Sequence, residues 1–160
     1  MILYHGGTEI IEKPVILLSA ASRDFGRGFY CTDIQEQASK WALRQGRIRK
    51  KPAFLNIYEF NIEKARLEVN LKIFSDYDIE WLELVVNCRK NSDYTHEFDI
   101  VFGKIANDDV GETVQAVVNG LTPLDFALRK LIFMPANNQY CFCTVKSLAF
   151  LIFKESKKLE

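Results

Sequence analysis

Apolar positions along this chain change their period several times, and each change marks an expected element. Residues 2–4 are a short apolar start that halts at Gly6-Gly7, where the backbone is free to turn. Residues 22–28 are polar and glycine-bearing, hence a loop, and they feed the compact run 29–32. Asp33 has the marks of an N-cap, with Glu36 three residues on to complete a capping box. Ile34, Ala38, Trp41 and Ala42 then fall on one face of a helix ending near Gly46. Residues 55–62 and 67–73 read as strands, the second alternating at Leu67, Val69, Leu71 and Ile73.

Helical spacing returns at Ile79, Leu82, Val85 and Val86, predicting a helix over about 78–89. A short strand at 99–102 stops at Gly103 and precedes the polar cluster Asn107-Asp108-Asp109. A helix over 112–119 ends at Gly120. Another starts from Thr122 as cap and Pro123 as first helical residue, burying Leu124, Ala127, Leu128 and Leu131. Residues 139–144 read as a strand, and 146–153 as a last element open to either assignment. Strands gather at both ends with helices between, so an α+β fold is expected rather than a doubly wound parallel sheet. One domain over 1–153 is expected, with 154–160 a charged C-terminal tail that frays or ends the last element.

Composition narrows the function classes only a little. Of 160 residues, 48% are hydrophobic and 26% charged, as in ordinary globular chains. Lys plus Arg and Asp plus Glu both total 21, so net charge gives no reason to expect polyanion binding. The basic run Arg44, Arg47, Arg49, Lys50 and Lys51 reads as a solvated helix end and loop. Cys31, Cys88, Cys141 and Cys143 contain no C-x-x-C spacing, and no metal is expected. Cys141 and Cys143 point the same way in a strand and pack as small hydrophobes. With neither a secretory signal nor an apolar stretch near 18 residues, a soluble, cytoplasmic chain with reduced thiols and no membrane contact is expected.

Three segments carry the candidate chemistry: Tyr4-His5-Gly6, the run 26–33 (Gly-Arg-Gly-Phe-Tyr-Cys-Thr-Asp) and Asn138-Gln139-Tyr140. Their order resembles the ADP-ribosyltransferase superfamily, in particular the branch of the poly(ADP-ribose) polymerases and diphtheria toxin. That branch carries a His-Tyr-Glu trio on a His-Gly strand, a Gly-x-Gly-[Ile/Phe]-Tyr strand and a late Asn-Glu-Tyr strand. More closely, residues 2–153 resemble a small bacterial family of uncharacterised proteins in that superfamily. It is often encoded beside a small partner in a toxin–antitoxin arrangement, and the stretch 99–109 is characteristic of it. The resemblance implies a split antiparallel β-sheet core with peripheral helices, and NAD as co-substrate.

It also implies roles. His5 would bond a ribose hydroxyl, Gly6 would offer its N–H and C=O to the nicotinamide carboxamide, and Tyr30 would stack on the nicotinamide. Trp41 would close the other side of the ring, Gly28 would belong to the cofactor site, and Arg23 would either pair with the pyrophosphate or form a surface ion pair. Gln139 departs from the trio, since a carboxamide can orient a ribose hydroxyl but has no charge to stabilise an oxocarbenium ion. Asp108 and Asp109 are auxiliary candidates for the missing carboxylate, against a loop-capping role.

The expected activity is therefore mono-ADP-ribosyl transfer, a glycosyltransferase reaction on NAD, to a protein or nucleic-acid acceptor, by the toxin of a pair held by an antitoxin-like partner. The alternatives are NAD hydrolysis, or a catalytically silent module binding NAD, ADP-ribose or a partner. Taken singly, His5 reads as a satisfied strand histidine, Tyr30 and Trp41 as core aromatics, and His96 as a surface residue.

Overall fold

A computed structural model of the chain describes residues 1–16, 23–106, 108–131 and 137–160. In chain order these form β1 (Ile2–Gly7), β2 (Phe29–Cys31), α1 (Gln35–Arg49), β3 (Ala53–Phe60), α2 (Ile62–Glu68) and β4 (Leu71–Ile73). There follow α3 (Ile79–Lys90), β5 (Ile100–Gly103), α4 (Asp108–Val118), α5 (Leu124–Leu131), β6 (Gln139–Phe142), α6 (Val145–Leu148) and β7 (Leu151–Leu159). One sheet has the order β1-β3-β7 and the other β2-β6-β5-β4. All pairs are antiparallel except β4 with β5. The fold is α+β.

Alternation along the strands sorts the side chains into layers. Leu3, Phe29, Cys31, Tyr58, Phe60, Ile100, Tyr140 and Phe142 meet in one buried cluster shared by the two sheets. Val101 and Cys141, one position out of phase, pack instead with Trp81, Leu82, Val85, Val114, Ala127 and Leu131 of the helices α3, α4 and α5. On the first sheet's other side, Ala38 of α1 covers Leu55 and Ile57. Burial on this scale stabilises by roughly 25 cal/mol per Å² of apolar surface removed from water. It is what holds α1 and the α3–α5 group against their sheets.

Several boundaries differ from the sequence reading. β1 does not stop at Gly6-Gly7 but runs through both, paired with Leu55 and Phe54. Asp33 does not cap α1: the N-cap is Ile34 with no side-chain bond, and Asp33 instead accepts from Asn138 Nδ2 at 2.7 Å. α1 also continues past Gly46 to Arg49. The expected strand 67–73 is two things, because Asn61 caps α2 by accepting from Lys64 N–H, and only Leu71–Ile73 is a strand. α4 starts at Asp108, ahead of the expected 112. The charged tail does not fray: Lys158 and Leu159 pair with Phe54 and Ala53 as the far end of β7.

Candidate functional site

Among the described residues the two sheets meet at one place through backbone. Tyr4 N–H donates to Thr32 C=O at 2.7 Å and Thr32 N–H to Tyr4 C=O at 2.9 Å, an isolated bridge between β1 and β2. One position on, the strands part. The Tyr30 carbonyl there accepts from the His5 imidazole, with Nδ1 at 2.7 Å. A carbonyl only accepts, so Nδ1 carries the hydrogen and the neutral ring keeps Nε2 as an acceptor. Alternation turns Gly6's N–H and C=O to the same side as Tyr4's, away from β3 and toward β2.

His5 is half-buried and stacked on Phe29, ring centroids 4.5 Å apart. Burial holds its pKa below the usual value, outweighing the Tyr30 carbonyl, and the Arg23 charge adds to the lowering. The side chains of Phe29 and Tyr30 take opposite faces of β2, so imidazole and phenol do not face each other across the cleft. Gly6 is small for a reason other than a ligand. A Cβ there would lie 2.0 Å from the Ala38 carbonyl oxygen, because α1 crosses directly over it.

Tyr30 shares its face with the cross-strand Cys141 and, two residues back, Gln139. Its hydroxyl donates to Gly26 C=O at 2.7 Å and accepts from Phe25 N–H at 3.1 Å. Burial pushes its pKa well up, so it stays a neutral phenol. Arg23 lies over the ring, its guanidinium 5.4 Å from the centroid, on a π-face the resemblance gives to nicotinamide. At Gly28 a Cβ would come within 2.3 Å of Cys141 Sγ, so glycine lets β2 lie against β6.

Gln139 is buried, and its Nε2 donates to Asp24 Oδ2 at 2.9 Å. Asp24 is only 6% exposed and also accepts from Ala106 N–H at 2.9 Å and from Arg89 Nε at 3.0 Å. The carboxylate thus sits beside the third trio position but is fully committed to neighbours. Sequence reasoning missed both Asp24 and Arg89. They stand 65 residues apart, and nothing local to either signals the pair. Asn138 ties the segments together, accepting from Thr32 Oγ1 at 3.0 Å and, through its carbonyl, from Gln37 Nε2 at 2.8 Å.

Trp41 is not drawn in. It lies on α1, 47% exposed, with the Arg44 guanidinium 5.9 Å from its ring. Asp108 and Asp109 begin α4, and their side chains lie outside the described residues. His96 is not a surface residue: half-buried, it donates from Nε2 to Phe25 C=O at 3.1 Å and accepts at Nδ1 from Phe98 N–H. A groove of about 370 Å³ between Arg47 and Leu159 is lined by none of these residues. Among the described residues no group of three His, Cys, Asp or Glu is placed to hold a metal ion. None of the described helices is long and apolar enough to cross a membrane.

The model of a family described as a protein of unknown function, DUF3990, matches residues 1–153. No curated protein and no solved structure matches the chain.

Proposed function

Since the chain belongs to DUF3990, whose description assigns no activity, we propose from the geometry of the seam that it is an NAD-dependent mono-ADP-ribosyltransferase. Its two sheets are then the split core of that superfamily, and it acts on a macromolecular acceptor as the toxin of a pair. The observation that carries this reading is the parting of β1 from β2 after Tyr4 and Thr32. His5 takes the carbonyl that Gly6 N–H would meet in a continuing ladder, so among the described residues β2 supplies no ladder bond to Gly6's N–H and C=O, which stand side by side as a donor and an acceptor. That pair matches the carboxamide of nicotinamide, which needs one acceptor and one donor.

In the reaction the bond from ribose C1′ to the nicotinamide nitrogen breaks, and nicotinamide leaves with the electron pair. The acceptor's nucleophile bonds to C1′ and gives up its proton. His5 Nε2 accepts from a ribose hydroxyl, and Tyr30 offers its ring once Arg23 swings from it toward the pyrophosphate. Gln139 orients the sugar through its carbonyl oxygen while Asp24 holds its amide. The same bond favours a second reading, NAD binding without turnover, because the carboxylate present is neutralised by Arg89.

The test is incubation of the protein with labelled NAD and cell extract. Nicotinamide release with label transfer is expected, reduced at least tenfold by His5→Ala or Tyr30→Ala and unchanged by Lys157→Ala. Binding of NAD without release would replace transfer by the second reading, and neither binding nor release would end both. Gln139→Glu alone brings a second carboxylate against Asp24, so it is expected to lose about 1–3 kcal/mol of stability and gain no hydrolysis. Gained hydrolysis is expected only when Asp24→Asn accompanies it.

A further inference from the structure

Behind Tyr30 lies a thiol cluster that the proposed reaction does not use. Cys141 is fully buried in β6 and Cys143 is half-buried just beyond its end, their sulfurs 3.3 Å apart. His96, whose Nε2–H is anchored on Phe25 C=O, favours the thiolate form of Cys143. The Cys143 thiol is held down at about 6, by the Cys141 hydrogen bond first and by His96 after it, against the opposing effect of burial. Burial pushes the other three cysteines up. One thiolate-forming sulfur therefore stands beside one thiol, with an imidazole to support the charge.

We propose that Cys141 and Cys143 form an oxidative modification site at which a hydroperoxide converts Cys143 to a sulfenic acid and Cys141 resolves it to a disulfide. In the first step the Cys143 thiolate attacks the terminal peroxide oxygen. The O–O bond breaks, and the leaving oxygen departs with that electron pair and takes a proton from solvent. In the second the Cys141 sulfur bonds to that of Cys143, the S–O bond breaks, and water leaves with the Cys141 proton. Sulfur is oxidised and the peroxide is reduced. Closing from 3.3 Å to the bonded separation of about 2.05 Å falls to side-chain rotation at Cys143, whose N–H stays bonded to Asp99 C=O. Cys141 stays in register with Tyr30 throughout.

The site is independent of whether the cleft turns over NAD, and so is its test. The folded protein is treated with graded hydrogen peroxide, quenched by alkylation and mapped by mass spectrometry. A linked Cys141–Cys143 peptide lacking two hydrogens is expected, with Cys143 consumed at least about tenfold faster than Cys31 or Cys88. Cys141→Ser should trap the sulfenic acid as a dimedone adduct on Cys143. Equal rates at all four cysteines, or an unmodified Cys143 when Cys31 or Cys88 has reacted, would overturn the proposal. The time course on the unsubstituted protein decides the matter even if the variant misfolds.

Discussion

The chain has two histidines, and their surroundings pull them in opposite directions. Burial lowers His5 from the usual 6.5. Burial also opposes the charged form of His96, but the Cys143 hydrogen bond and charge and the Phe25 carbonyl outweigh it, and His96 is raised. His5 therefore binds fewer protons folded than unfolded. Its stabilisation is present above 6.5 and is lost as pH falls from there through the lowered folded value. For His96 the sign reverses: its contribution is present below 6.5 and is lost as pH rises through the raised value. In an NMR titration of the ring protons, one signal should move below 6.5 and the other above. Cys143→Ser should bring only the higher one down, and a common midpoint would contradict both environments. The role of His96 was hidden in the sequence because its partners, Phe25 and Cys143, are 71 and 47 positions away. His5 was legible for a local reason, its place between an apolar strand start and a glycine pair.

Among the elements, β1 and α1 form the most constrained contact at the site. The Ala38 carbonyl occupies the space a Gly6 Cβ would need, so Gly6→Ala must push α1 off its sheet. About 1–3 kcal/mol of lost stability is expected, read as a lower urea midpoint. Leu67→Ala should stay within about 0.5 kcal/mol, because Leu67 is 89% exposed on α2. A large loss there would mean that α2 turns its other face inward. The same residue shows where periodicity misleads. Leu67, Val69, Leu71 and Ile73 alternate as a strand should, yet the Asn61 cap commits the first of them to helix before the sheet can recruit it. Where a cap and a stripe agreed, as at Asp78 with Leu82 and Val85, the expected helix formed. Caps are read from one or two residues, and a competing acceptor displaces them easily. Asp33, drawn to Asn138 instead of its own helix, is such a case.

At the scale of the molecule, the trio's three strands were each foreseen, but not the layering that sets the imidazole and the phenol on different faces of β2. That depends on which neighbour each strand chooses: β1 joins β3 and β7, while β2 joins β6. Pairing choice is settled by long-range burial of the alternate residues, which no single segment reveals. The outermost strand of the first sheet has a consequence of its own. The family match stops at residue 153, whereas β7 continues to Leu159 and lies against β3 as far as Ala53. Its exposed lysines, at 154, 157 and 158, discourage a further strand from adding to that border. A fragment ending at Phe153 would strip the cover from about half of β3 and leave bare amides and carbonyls flanked by Leu55 and Ile57. Size-exclusion chromatography should show such a fragment at a higher apparent mass than the full chain. The last charged residues thus work as a selvedge, the woven border that keeps a sheet from catching on its neighbours.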